Sequence, residues 1–154
     1  SNLLDGAAHF YDTYECADKK FLAVGSIEPQ FYSALLEKLE ITDSKFQDQH
    51  NKELWPELKV IIAEKIKKKS RDEWANIFDG SDACVAPVLS LSEAPKHHHM
   101  KARNSFIDID GVIQPAPAPR FSNTPTQIRH SSVKAGENNE EICSKYDLDR
   151  SCFS

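Results

Sequence analysis

A carboxylate at the start of a helix is the strongest candidate for chemistry in this chain. Glu28 lies in the stretch Ala23-Val24-Gly25-Ser26-Ile27-Glu28-Pro29-Gln30-Phe31-Tyr32, which reads as a strand end, a glycine turn and a helix start. Phe21-Leu22-Ala23-Val24 is an apolar run of strand type. Gly25 tolerates backbone angles that other residues resist, and Pro29 suits a first helical turn, where the missing N–H costs little. Phe31, Tyr32, Leu35, Leu36 and Leu39 then recur at helical spacing and give the helix one buried face. The Glu28 carboxylate thereby sits among backbone donors and partial positive charge. Two readings are open: Glu28 caps the helix, or it is a candidate functional carboxylate whose partner the spacing does not reveal.

Other chemistry-bearing residues are less well placed. His97-His98-His99 invites a metal, but consecutive histidines cannot all face one ion from a helix or strand, and no second cluster has ligand spacing. The run reads as polar surface, and no metal is expected. His9, beside Phe10-Tyr11, is of a type that titrates near neutrality, although a lone histidine is more often a packed or exposed bystander. Lys65, Lys67, Lys68 and Lys69 could meet phosphates, yet cations also favour a helix C-terminus electrostatically, and a solvated face is the preferred reading. No G-x-S-x-G, phosphate-binding loop or G-x-G-x-x-G is present.

The elements that must position Glu28 follow from pattern. Phe10–Cys16 and Phe21–Val24 form a hairpin across the polar turn Ala17-Asp18-Lys19-Lys20. The Glu28 helix runs from Pro29 to Leu39, and Glu40–Glu53 is an aperiodic loop or frayed turn. Pro56 opens a second helix with Leu58, Ile61, Ile62 and Ile66 in one stripe. Ser70-Arg71-Asp72-Glu73 is a capping box for a third helix, which buries Trp74, Ile77 and Phe78 and stops at Asp79-Gly80. Ala83–Leu89 is a buried apolar strand, placed at an edge or bent by Pro87. A short helix is expected from Ser92 towards His99. Phe106–Ile109 and Val112–Ile113 flank Asp110-Gly111, a strong hairpin turn. Pro115-Ala116-Pro117-Ala118-Pro119 is an extended linker, 120–134 is irregular, and Gly136-Glu137 leads into a last helix.

Composition bounds the function. The 154 residues are 40% hydrophobic and 28% charged, enough for one ordinary domain. No apolar run approaches the ~18 residues of a membrane helix, so no membrane partner is expected. The net charge of −5 argues against a nucleic-acid surface. Cys16, Cys84, Cys143 and Cys152 show no C-x-x-C pairing. Cys16 and Cys84, among strand-type residues, read as reduced, buried thiols of an intracellular protein. The opening Ser1-Asn2-Leu3-Leu4-Asp5-Gly6 and the polar tail suit a piece of a larger protein.

Several stretches together resemble the α-methylacyl-CoA racemase family, within the family III CoA-transferase (CaiB/BaiF-type) superfamily. They are Leu3-Leu4-Asp5-Gly6 leading to Tyr11-Asp12-Thr13-Tyr14, the Ala23–Tyr32 stretch, Asp82-Ala83-Cys84-Val85-Ala86-Pro87-Val88-Leu89, and Pro117-Ala118-Pro119-Arg120-Phe121-Ser122. Gly136-Glu137 and Glu140-Glu141-Ile142 resemble the family's closing helix. The chain departs from the family at Gly6-Ala7-Ala8-His9, where Gly-Gly-Ala-Pro is usual, at Lys19, where a turn glycine is usual, and at Asn138, where a histidine is usual.

The resemblance implies an α+β fold with short, mainly antiparallel strands and three to four helices. Its segments would be an incoming linker (1–9), a small domain (10–114), a returning linker (115–135) and a helical segment (136–154) that packs on a large domain. It further implies an interlocked homodimer acting on acyl-CoA thioesters, with no cofactor, that interconverts (2R)- and (2S)-2-methylacyl-CoA through an enolate. Such proton transfer needs two acid/base groups straddling Cα and stabilisation of the thioester oxyanion. The family's catalytic His and Asp belong to the large domain. The family residue that maps here is a glutamate, onto Glu28, which orients that histidine across the dimer interface. The alternatives are a CoA-transferase of the same superfamily, disfavoured because Gly6 is the one glycine of the Leu3–Ala8 loop, and a non-catalytic interaction module. The 154 residues alone are expected to be inactive. The resemblance implies a mitochondrial or peroxisomal enzyme, although Ser151-Cys152-Phe153-Ser154 is no S-K-L-type signal.

Overall fold

The computed structural model describes residues 2–149 and 151, and the expected first hairpin is its centre. Strand β1 (Tyr11–Glu15) pairs antiparallel with β2 (Phe21–Gly25), Tyr14 opposite Leu22 and Tyr11 opposite Gly25. The turn between them places Lys19 at φ 64°, left-handed backbone that favours glycine. β3 (Val85–Pro87) joins the other side of β2, giving the order β1-β2-β3. Pro87 is tolerated because β3 is an edge strand with one bonded neighbour. β3 is shorter and more open than the buried strand expected over Ala83–Leu89, since Val85 and Pro87 are half-buried and Ala86 exposed.

Three helices follow the hairpin: α1 (Pro29–Lys38), α2 (Trp55–Ile66) and α3 (Arg71–Phe78). Each starts where sequence predicted. Proline occupies the first turn of α1 and α2, and the Ser70–Glu73 capping box is formed in both directions. Leu22 and Val24 of β2 meet Leu35, Leu58, Ile62 and Trp74 in one core. Each fully buried aliphatic side chain contributes about 1.5–3 kcal/mol relative to exposure. Between α1 and α2 the supposedly featureless loop contains a 3₁₀ turn, Ser44–Gln47, that buries Phe46. One aromatic per turn of irregular backbone has no period to detect, which is why its burial escaped the pattern.

The chain divides into two units, residues 1–89 and 90–154. The second opens with a 3₁₀ turn, Ala94–Lys96, and α4 (His98–Ala102) rather than one helix from Ser92 to His99. His97 between them is extended at φ −63°, ψ 135°, so the helical bond pattern cannot pass through. β4 (Phe106–Ile109) and β5 (Val112–Pro115) form the expected hairpin, with Asp110 and Gly111 both at positive φ, as a type I′ turn requires. A last helix, α5 (Asn139–Tyr146), ends at Asp147 in the left-handed conformation. No helix among the described residues is long and apolar enough to cross a membrane.

Candidate functional site

Glu28 occupies the N-cap position of α1, extended at φ −73° and ψ 146°, but its side chain makes no capping hydrogen bond. The capping reading therefore fails, and the carboxylate is solvent-exposed. Its backbone, by contrast, is held from two sides. The Gly25 N–H donates to the Cys84 carbonyl at 2.9 Å and the buried Ser26 hydroxyl donates to the Ala83 carbonyl at 2.5 Å. From the opposite side the Gln49 amide donates to the carbonyls of Ser26 and Ile27 at 3.1 and 2.9 Å. The Ser26 N–H completes the set by donating to the Phe10 carbonyl at 3.0 Å. Gly25 itself needs no special conformation: it is absent from the positive-φ residues, and an added Cβ would meet its neighbours at ordinary distance, 3.7 Å. The turn that presents Glu28 is set by hydrogen bonds, not by glycine.

Beside this loop the outer face of the sheet is floored by small residues. Thr13, Ala23, Gly25 and Ala86 border an open groove of ≈ 500 Å³ whose lining also includes Leu4–Gly6, Tyr11 and Cys84. Cys84 is exposed with φ 53°, which corrects the expectation of a buried strand thiol: a left-handed residue just before β3 turns outward. Local desolvation, then the nearby carboxylates of Glu28 and Asp82, raise its thiol above the ordinary value. Cys16 is buried as expected, and burial pushes its thiol up to about 11. Cys143 is a buried free thiol, and Cys152 lies outside the described residues.

The Leu4–Gly6 loop that lines the groove is fixed by charge. The Asp5 carboxylate accepts from the backbone N–H groups of Asn2 and Ala7 at 2.7 and 3.1 Å, and these bonds hold it below the usual carboxylate range. Lys59 of α2 reaches both the Gly6 carbonyl and the Asp12 carboxylate. Gly6 is at φ 82°, and a Cβ there would come within 3.3 Å of the Asp12 carboxylate. Here glycine is required.

His9 is fully buried. Its Nε2 shares a hydrogen bond with the Tyr32 hydroxyl at 2.7 Å, and its ring packs edge-on against Phe10 and Phe46. Burial, with a smaller contribution from His50, lowers its pKa to about 4. It is a neutral core group that anchors the first turn of α1, not a proton carrier near neutrality. Of the three consecutive histidines, His97 is half-buried and extended and its ring lies 4.4 Å from that of the exposed His98, His99 is also exposed on α4, and no group of three or more histidine, cysteine or carboxylate side chains is placed to hold a metal among the described residues. Lys65 and Lys67 pair with Glu40 and Glu64, and Lys69 lies over the Trp74 ring at 5.7 Å, as a solvated face would arrange them.

Comparison with known proteins gives this geometry a lineage. The family model for CoA-transferase family III matches residues 2–139, and the chain belongs to that family. It is 46% identical over 149 residues to the alpha-methylacyl-CoA racemase of Mus musculus, covering 94% of this chain and 39% of that protein. Against the alpha-methylacyl-CoA racemase of Homo sapiens the identity is 43% over 152 residues, covering 97% of this chain and 40% of that protein. The chain thus spans about two fifths of the length of these curated relatives. The crystal structure of a CaiB/BaiF family protein from Brucella suis superposes with a TM-score of 0.66 at 21% identity, covering 91% of this chain and 38% of that one, and shares the fold.

Proposed function

We propose that this chain is the small domain and returning arm of a 2-methylacyl-CoA racemase, and that Glu28 is its contribution to the active site. The observation that carries the reading is the exposed, uncapped Glu28 carboxylate on a clamped loop, within a chain 46% identical to a racemase. A capping glutamate would have spent its oxygens on the helix. This one is left free to take a partner from outside the chain.

In this reading residues 10–114 are the small domain, 115–135 return to a large domain and 136–154 pack on it, in an interlocked homodimer. A base on the large domain removes the Cα proton of the acyl-CoA thioester, and an acid on the opposite face returns one, through an enolate. Glu28 accepts a hydrogen bond from the catalytic imidazole, fixes its tautomer and stabilises its protonated form. No metal or cofactor is needed for this proton transfer, and the enzyme works inside the cell, in mitochondria or peroxisomes.

Deuterium uptake from D2O at Cα of a 2-methylacyl-CoA, measured on the full-length protein, is the test. Glu28→Gln should slow it on the order of 10²-fold or more, by analogy with loss of an orienting carboxylate. An unchanged rate removes Glu28 from the mechanism. Acyl-dependent CoA transfer to a free acid, found in place of α-proton exchange, would instead assign a transferase. The 154 residues alone should exchange no α-proton, because both transfer groups are expected elsewhere.

A further inference from the structure

We infer that Gln49 is a positioning residue for Glu28, an inference that rests on the functional reading of Glu28 above. A primary amide carries two N–H donors, and Gln49 directs its amide nitrogen to two successive carbonyls, Ser26 at 3.1 Å and Ile27 at 2.9 Å. The Ile27 carbonyl belongs to the same rigid peptide plane as the Glu28 N–H. Fixing that oxygen fixes the plane from which Glu28 projects. The Glu28 side chain makes no capping bond, so what the fold fixes is the backbone and with it the Cα–Cβ direction from which the carboxylate extends.

Gln49 is itself immobilised. It is 7% exposed, and the Trp55 indole N–H donates to its main-chain carbonyl at 2.9 Å. Trp55 is the first residue of α2 and packs edge-on against Phe10, so the amide is referenced to the core. On the far side Ser26 and Gly25 are tied to Ala83 and Cys84. The Glu28 loop is thus gripped between the segment before α2 and the residues leading into β3. A supporting shell of this kind decides whether a catalytic group is held within the fraction of an ångström that reaction requires. The aperiodic stretch between α1 and α2 is therefore the Glu28 support, not a spacer.

Gln49→Met keeps the length of the side chain and removes both donors. Backbone ¹⁵N relaxation on this chain should show order parameters at Ile27 and Glu28 falling from a rigid ~0.85 to below about 0.6, while α1 and α2 keep theirs. Unchanged values at Ile27 and Glu28 in folded Gln49→Met overturn the inference. Trp55→Phe, which removes only the indole donor, replaces it if Gln49→Met does not fold: a smaller fall at the same two residues is expected, and none overturns the inference. In the full-length protein, Gln49→Met should lower kcat for α-proton exchange roughly 10-fold, leave KM within about twofold, and add nothing to Glu28→Gln. A full additional loss on top of Glu28→Gln overturns it. An unchanged rate in Glu28→Gln removes the racemase role of Glu28, yet leaves the relaxation result to decide what holds the loop.

Discussion

Residues 1–89 and 90–154 were built from similar parts, a two-stranded hairpin and helices, but they bury very different amounts. In the first unit a single core runs from Ala8 and Phe10 through Leu35 and Leu58 to Trp74 and Ala83. In the second, Cys143 is the sole buried residue among those described, while Leu91, Phe121 and Tyr146 stand 96%, 54% and 62% exposed. The β4–β5 hairpin and α5 are therefore held by local hydrogen bonds and turn chemistry. Both units hold left-handed non-glycine residues, Lys19, Glu40 and Cys84 in the first and Asn104, Asp110 and Asp147 in the second, and, among the described residues, buried polar atoms without a partner, His9 Nδ1 in the first and His97 Nδ1 and Asn138 Oδ1 in the second. The difference between them is therefore one of side-chain burial, not of local strain.

Core truncation should separate the two most. Leu35→Ala is expected to cost about 2–5 kcal/mol, whereas Ile142→Ala on α5 should cost no more than about 0.5 kcal/mol. Urea unfolding read by the fluorescence of Trp55 and Trp74 measures the first, and amide exchange along α5 the second. Comparable costs would break the contrast.

Acid should act on the first unit through His9. Its folded pKa of about 4 lies below the unfolded value of 6.5, so the unfolded chain takes up the proton first. The stabilisation is complete above pH 6.5 and is lost as the pH falls from 6.5 to 4. The loss amounts to about 3 kcal/mol. Urea midpoints taken across that range should slope steeply in the parent and flatten in His9→Gln. A parallel slope in the variant would assign the acid sensitivity elsewhere.

Helix caps sharpen the comparison at about 1 kcal/mol. Ser70→Ala removes a formed capping box and should lower the first unit's stability by roughly that amount. Asn138 makes no side-chain cap on α5, so Asn138→Ala should leave α5 amide exchange within about 0.5 kcal/mol of the parent. The smallest effects come from the turns. Lys19→Gly relieves a left-handed lysine and should raise stability by about 0.5 kcal/mol net of backbone entropy. Gly111→Ala in the second hairpin should speed exchange of β4 and β5 several-fold, because that hairpin depends on its turn. If Lys19→Gly destabilises, its pairing with Glu15 at 2.9 Å matters more than the strain.

Most elements that carry Glu28 were legible because their signals are local. Aromatic and β-favouring residues on either side of a polar turn marked the first hairpin, proline marked the starts of α1 and α2, Ser70 and Glu73 marked α3, and Asp110-Gly111 marked the second hairpin. Glu28 itself was legible as a helix-start carboxylate, and the residues around it carried the family. The supporting groups were not. Phe46, Gln49 and the fully buried His9 lie in stretches without a period, and their partners are 22 to 23 residues away for Gln49 and His9. Cys84 looked like a strand thiol, because side-chain type does not reveal that its backbone turns left-handed.

Sequence alone thus determined where the helices and hairpins form, since capping, proline geometry and periodicity act over a few neighbouring residues. Only the tertiary structure decided that Glu28 does not cap its helix, that the loop bearing it is gripped by Gln49 on one side and Ala83 and Cys84 on the other, and that Gly25 is incidental while Gly6 is required. Those outcomes depend on which distant carbonyls need donors once the core has closed, and no local pattern records that.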